Sequence, residues 1–90
     1  MIVEIAGQHL VMVDWEDVAL AKNWHWTRLP DGSFQNRAQK GHLLHRLIFT
    51  RAINCPLKPG VVVKFKNGER NDLRRANLYS PRIGDPQDAD

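Results

Sequence analysis

Apolar and polar positions alternate at the start of the chain. Ile2-Val3-Glu4-Ile5 and His9-Leu10-Val11-Met12-Val13 both run with a period of two, and Ala6-Gly7-Gln8 lies between them. That pattern predicts two short strands joined as a hairpin. Asp14 precedes Trp15-Glu16-Asp17-Val18-Ala19-Leu20-Ala21. Carboxylates at that place favour the free N–H groups and positive dipole end of a helix. The predicted helix is short and buries Val18 with Ala21 or Leu20. Trp24 to Leu29 reads as a strand with two indoles on one face, Pro30-Asp31-Gly32-Ser33 as a turn, and Phe34 to Ala38 as the returning strand. After a further turn at Gln39-Lys40-Gly41, His42-Leu43-Leu44 is expected to add a third strand.

The period then changes. Leu44, Leu47, Ile48 and Ala52 recur at helical spacing, with Arg46, Thr50 and Arg51 off the stripe, so residues 45–53 form a helix. Pro56, Pro59 and Gly60 make 54–60 a loop. Val61 to Phe65 is a strand, Lys66-Asn67-Gly68-Glu69 a turn, and Asp72 is placed to cap a short helix through about Asn77. Residues 81–90 hold two prolines, a glycine and three aspartates with few apolar groups, the composition of a flexible tail. The expected fold class is α+β: a small antiparallel three-stranded sheet with short helices over 1–53, then a strand–turn–helix unit over 61–80. With no linker between them, residues 1–80 should share one domain.

Composition sharpens this picture in two ways. Apolar residues make up 42% of the 90, enough for one small core. The lone cysteine, Cys55, excludes an internal disulfide and a four-cysteine zinc site. The first residues lack a basic segment followed by a long apolar run, and no stretch approaches membrane-spanning length. A soluble intracellular protein is expected. Charge is segregated beneath a net +3. Residues 1–35 carry two basic and five acidic side chains, 36–75 ten basic and two acidic, and 76–90 one basic and three acidic. A basic block of that size favours a polyanionic partner through counterion release.

The block ends in Lys64-Phe65-Lys66-Asn67-Gly68-Glu69-Arg70-Asn71-Asp72-Leu73-Arg74-Arg75-Ala76-Asn77-Leu78. This stretch resembles the signature of the HNH endonucleases, particularly the small phage type. There an Asp-His pair ends a strand, an Asn-Gly turn follows, and Asp-Asn-Arg-Arg-x-Asn-Leu opens a helix. Leu10 to Leu20, Trp24-His25-Trp26 and Leu44-His45-Arg46-Leu47-Ile48 resemble other segments of those proteins, in the same order. The resemblance implies an N-terminal sheet like that of plant AP2 DNA-binding domains, a degenerate ββα unit over 61–80, and a phage or prophage source, hence the host cytoplasm.

By that alignment Asn77 matches the helix position that helps hold the metal, Lys64 the metal-binding Asp, and Phe65 the general-base His. An ammonium repels a cation and a phenyl ring accepts no proton. One amide is too few ligands for Mg²⁺. The implied activity is therefore nucleic-acid binding without cleavage, with DNA ahead of RNA, no metal and no cofactor. Arg28, Arg37, Lys40, Lys64, Lys66, Arg70, Arg74 and Arg75 are the expected contacts, Lys64 standing where the metal's charge would be.

Other readings remain open. His45 is expected to be a buried structural imidazole bonded to a backbone carbonyl. His42 and His45 are three apart, as metal ligands on a helix can be, but no nearby carboxylate or cysteine completes a site. His42 or His45 with Asp72 and Asn77 would be the residues of an unconventional nicking enzyme. Trp24 and Trp26 could stack on bases, although tryptophans in so small a sheet more often fill the core. A dead nuclease scaffold could also act as a counter-defence protein that blocks a host nuclease or CRISPR-type complex.

Overall fold

In the computed structural model, residues 1–39 and 41–83 are described. The first hairpin pairs β1 (Ile2–Ile5) with β2 (His9–Met12) in the antiparallel register Ile2↔Met12 to Ile5↔His9. Alternation sends Val3, Ile5 and Val11 into the core and leaves Ile2, Glu4 and Leu10 in solvent. Asp14 is extended and makes no side-chain cap; a 3-10 turn (Trp15–Asp17) leads into α1 (Val18–Asn23). Leu20 and Ala21 are buried, whereas Val18 is half-buried.

The second hairpin pairs β3 (Trp26–Arg28) with β4 (Phe34–Asn36). Gly32 sits at φ +91° in the connecting turn, where a side chain would be strained, and Asp31 Oδ1 accepts the Ser33 N–H at 2.8 Å. The expected third strand is reduced to one bridge, Gln35↔Leu43. Leu43 is still extended (φ −101°, ψ 139°), but Leu44 already begins α2 (Leu44–Ile53) and is fully buried. The helix claims the residue that would have extended the ladder. Among the described residues, the architecture is thus three two-stranded antiparallel sheets rather than one three-stranded sheet.

The expected helix at 72–77 is also different. Only Arg75–Asn77 turn, as a single 3-10 turn, between extended Arg74 and Leu78. The chain then returns as β6 (Leu78–Tyr79) against β5 (Lys64–Phe65), with Phe65 opposite Leu78. Leu78 is completely buried, so its side chain holds the segment extended. Residues 71–73 lie parallel to the outer edge of β2: Met12 N–H donates to the Asn71 carbonyl at 2.8 Å and Leu73 N–H to Met12 at 2.7 Å.

One core joins both ends of the sequence. Phe34, Leu44, Ile48, Phe49, Leu73 and Leu78 are all under 2% exposed and come from both hairpin and helix segments. The structure is a small compact α+β protein. No helix among the described residues is long and apolar enough to cross a membrane. The expected tail lies mostly in 84–90, outside the described residues.

Candidate nucleic-acid interface

The Asn67-Gly68 turn is held by side-chain amides. Asn77 Oδ1 accepts the Asn67 backbone N–H at 3.1 Å, and Asn77 Nδ2 donates to Asn67 Oδ1 at 3.0 Å and to the Asp72 carbonyl at 2.9 Å. Asn67 Nδ2 donates to Asp72 Oδ2 at 2.9 Å, and Asn67 Oδ1 also accepts Glu69 N–H. Gly68 takes φ +74° in this turn. Asn77 is therefore a buried brace: the oxygen that the resemblance assigns to a metal holds the loop. Asp72, 1% exposed, accepts Arg74 Nε at 2.8 Å and Nη2 at 2.7 Å. Those guanidinium bonds hold its carboxyl below the usual carboxylate range, against the opposing effect of burial.

Phe65 contacts both Arg70 and His45, whose ring is tilted 43° from its own. The Arg70 guanidinium carbon is 5.2 Å from the centre of its ring, and the His45 ring centre is 5.3 Å away. The cation gains from the ring's negative face. His45 is buried and joins α2 to β5 through this contact with Phe65. Burial, with the nearby Arg70 and Arg46 guanidinium groups, pushes its pKa down to about 4. Arg46 itself donates to the Val61 carbonyl.

Exposed Lys64 and Arg70 line a shallow groove of about 300 Å³ together with Val62, Val63, Phe65 and Gly68. Arg28 approaches the same place from the second hairpin. Its guanidinium carbon is 5.0 Å from the Phe34 ring centre, and Nη1 is 3.2 Å from His9 Nδ1, which accepts. Gly32 permits the convergence: a Cβ there would stand 2.9 Å from Arg70 Cγ and 3.4 Å from Arg28 Nη2. Arg28, Lys64 and Arg70 are the expected contact residues that the fold brings together. Asp31 lies close enough to Arg70 for the guanidinium to help lower its carboxyl, after the larger effect of the Ser33 hydrogen bonds.

The other expected contacts separate. Arg75 lays Nε and Nη2 on the two oxygens of Asp17, at 3.0 and 2.9 Å, and its backbone N–H donates to Asp14 Oδ2. Asp17 is fully buried. Arg51 comes within 3.6 Å of the same carboxylate. The acidic segment near the N-terminus thus neutralises part of the basic block from inside the fold. Arg74 is committed to Asp72. Lys66 is exposed, and its backbone N–H donates to the Asn77 carbonyl at 2.8 Å. Arg37 is exposed beside Trp24, away from the Lys64 groove. Lys40 lies outside the described residues.

Sequence reading missed the importance of Asp17. An acidic residue in a first helical turn looked like a dipole partner, and its match with Arg75 spans 58 positions. Among the described residues, no three His, Cys, Asp or Glu side chains gather as metal ligands. No family model, curated protein or solved structure matches the chain.

Proposed function

We propose that this chain binds nucleic acid, DNA in preference to RNA, through the face formed by Lys64, Arg70 and Arg28, as a catalytically inactive relative of the phage HNH endonucleases. The observation that carries the reading is the cation–ring contact: Arg70 lies over Phe65 beside an exposed Lys64, and Lys64 and Phe65 occupy the two positions where the resemblance expects an Asp-His pair. The aromatic ring that replaces the base becomes the seat of a phosphate-binding guanidinium. His45, with a pKa near 4, is a weak proton acceptor at neutral pH and is buried behind Phe65. The Asn77 oxygen is occupied by the turn. Each of these features supports binding over scission.

The test is an anisotropy titration against duplex DNA at several salt concentrations. Binding should weaken steeply with salt, and Lys64→Glu with Arg70→Glu should abolish it. The double variant Lys64→Asp, Phe65→His should bind more weakly and gain no Mg²⁺-dependent nicking of supercoiled plasmid. A flat salt response, or nicking by the unmodified protein that is lost in His45→Ala, would overturn the proposal.

A second reading, a counter-defence protein that binds a host nuclease or CRISPR-type complex, draws on another surface. Ile2 and Leu10 are 69% and 58% exposed on the outer face of the first hairpin, above an apolar groove of about 290 Å³. Patches of this kind mark protein contacts. Ile2→Lys with Leu10→Lys should spare DNA affinity and abolish inhibition of such a nuclease.

A further inference from the structure

Two shallow grooves of about 590 and 520 Å³ meet along one ridge, and Trp24, His25 and Arg37 line both. The two tryptophans of this region differ sharply. Trp26 is 4% exposed and its Nε1–H donates to the Ala21 carbonyl at 3.1 Å. Its place is explained by the core. Trp24 is 41% exposed, and its ring lies 14° from parallel to Trp26 with centroids 6.1 Å apart. The buried indole fixes the plane of the exposed one. Stacking covers more than half of Trp24, but about two-fifths of its surface stays in water, apolar area that the fold leaves uncovered.

The surroundings specify a ligand. Arg37 is exposed, and its backbone is fixed by an N–H bond to the His25 carbonyl at 2.9 Å. Asn36 Oδ1 accepts the Ala38 and Gln39 N–H groups, each at 2.8 Å, and so shapes the loop beyond Arg37. Among the described residues, the larger groove is lined by side-chain amides from Asn23, Asn36 and Gln39 and by no carboxylate. Among the described residues, Glu4 is the acidic one in the second groove, where Lys22 and Arg28 offset it. A rigid π-face, a cation at its side and neutral donors and acceptors nearby match an unstacked base with its flanking phosphate.

We propose that the Trp24 ring is a stacking platform for an unpaired base of a single-stranded nucleic acid, with Arg37 holding the adjoining phosphate. This deepens the nucleic-acid reading and rests on it. Arginines link this platform to the Lys64 groove, with Glu4 and Asp31 interspersed among them. Arg28 lines the second groove and meets Arg70 over Gly32, and Arg70 borders Lys64. A strand leaving a duplex held at Lys64 and Arg70 has a place to go.

The test compares anisotropy of the full chain with labelled single-stranded DNA, RNA of the same sequence, and the corresponding DNA duplex. Single strands should bind more tightly than the duplex. Trp24→Leu should weaken single-strand binding about tenfold and Trp24→Phe much less, because a ring can still stack. Both should leave duplex affinity within about twofold. Arg37→Glu should weaken single strands severalfold. Thermal melting and circular dichroism establish that the variants fold. If Trp24→Leu does unfold the chain, the Trp15→Phe variant supplies the readout: its remaining fluorescence comes from Trp24 and buried Trp26, and single strands should quench it. RNA that binds as well as DNA with the same Trp24 dependence supports a base-and-phosphate site indifferent to the sugar. Equal loss of single-strand and duplex binding in folded Trp24→Leu, or no quenching by either single strand, overturns the inference. Duplex binding without Trp24-dependent single-strand binding removes this inference alone; absence of all binding removes the nucleic-acid reading with it.

Discussion

Asp17 and Arg75 form the ion pair with the most at stake. A fully buried carboxylate that loses its guanidinium is left charged in a poor solvent, and breaking one side of such a pair costs about 3–5 kcal/mol. Arg75→Met should therefore lower the urea midpoint severely, even with Arg51 still 3.6 Å from Asp17. His45 gives a second prediction. Its pKa is near 4 in the folded protein against an ordinary 6.5. The unfolded chain takes up the proton first as pH falls, so the histidine's contribution is complete above pH 6.5 and is lost progressively down to about 4, by up to roughly 3 kcal/mol. Urea midpoints measured across that range should slope less in His45→Leu than in the unmodified protein. Asp72 acts lower on the pH scale. Its carboxyl is held down chiefly by Arg74, so its contribution is present above the unfolded carboxyl's pKa and disappears as acid reaches the depressed folded value. Gly32→Ala should cost about 1–3 kcal/mol in a denaturant melt, because the added Cβ meets Arg70 as well as an unfavourable φ.

At the level of elements, the turn between β5 and β6 depends on Asn77 more than on any helix. Asn77→Ala removes bonds to the Asn67 N–H, the Asn67 side chain and the Asp72 carbonyl together. A loss of about 2–4 kcal/mol is expected, since buried groups are left without partners; exchange of the Asn67 amide proton should speed up locally. This element also marks where the sequence was hard to read. Asp72 has the position of a helix cap, but Arg74 two residues later offers it a stronger partner than backbone N–H groups do. Leu78 then needs an extended chain to reach the core. The first hairpin, the Trp26 strand, its return at Phe34 and the helix through Ile53 were legible because each has a local period. The three-stranded sheet was not, because Leu43 and Leu44 satisfy strand and helix patterns equally and burial of Leu44 decides between them.

For the whole molecule, the folded charge pattern differs from the linear one. Ten basic residues lie within 36–75, but Arg51 and Arg75 turn toward Asp17 and Arg74 toward Asp72. If three cations (Arg28, Lys64 and Arg70) meet duplex phosphates, log affinity should fall against log salt with a slope of about −2.7, far from the roughly −9 that ten contacts would give. Isothermal or anisotropy data over a range of sodium chloride concentrations measure this directly. The candidate site was half legible: residue types and the motif placed Lys64 and Arg70 in the sequence, but their approach to Arg28 depends on Gly32, a turn glycine 38 positions before Arg70, a relation no local pattern encodes. The long-range ties at Met12–Leu73 and Asp17–Arg75 have a consequence for how such a chain can be rearranged. Residues 1–53 are no interchangeable cassette: grafted onto another protein, they would carry a buried acid stripped of its two-pronged arginine and an open strand edge, so recombination between relatives should preserve the two ends as a matched set.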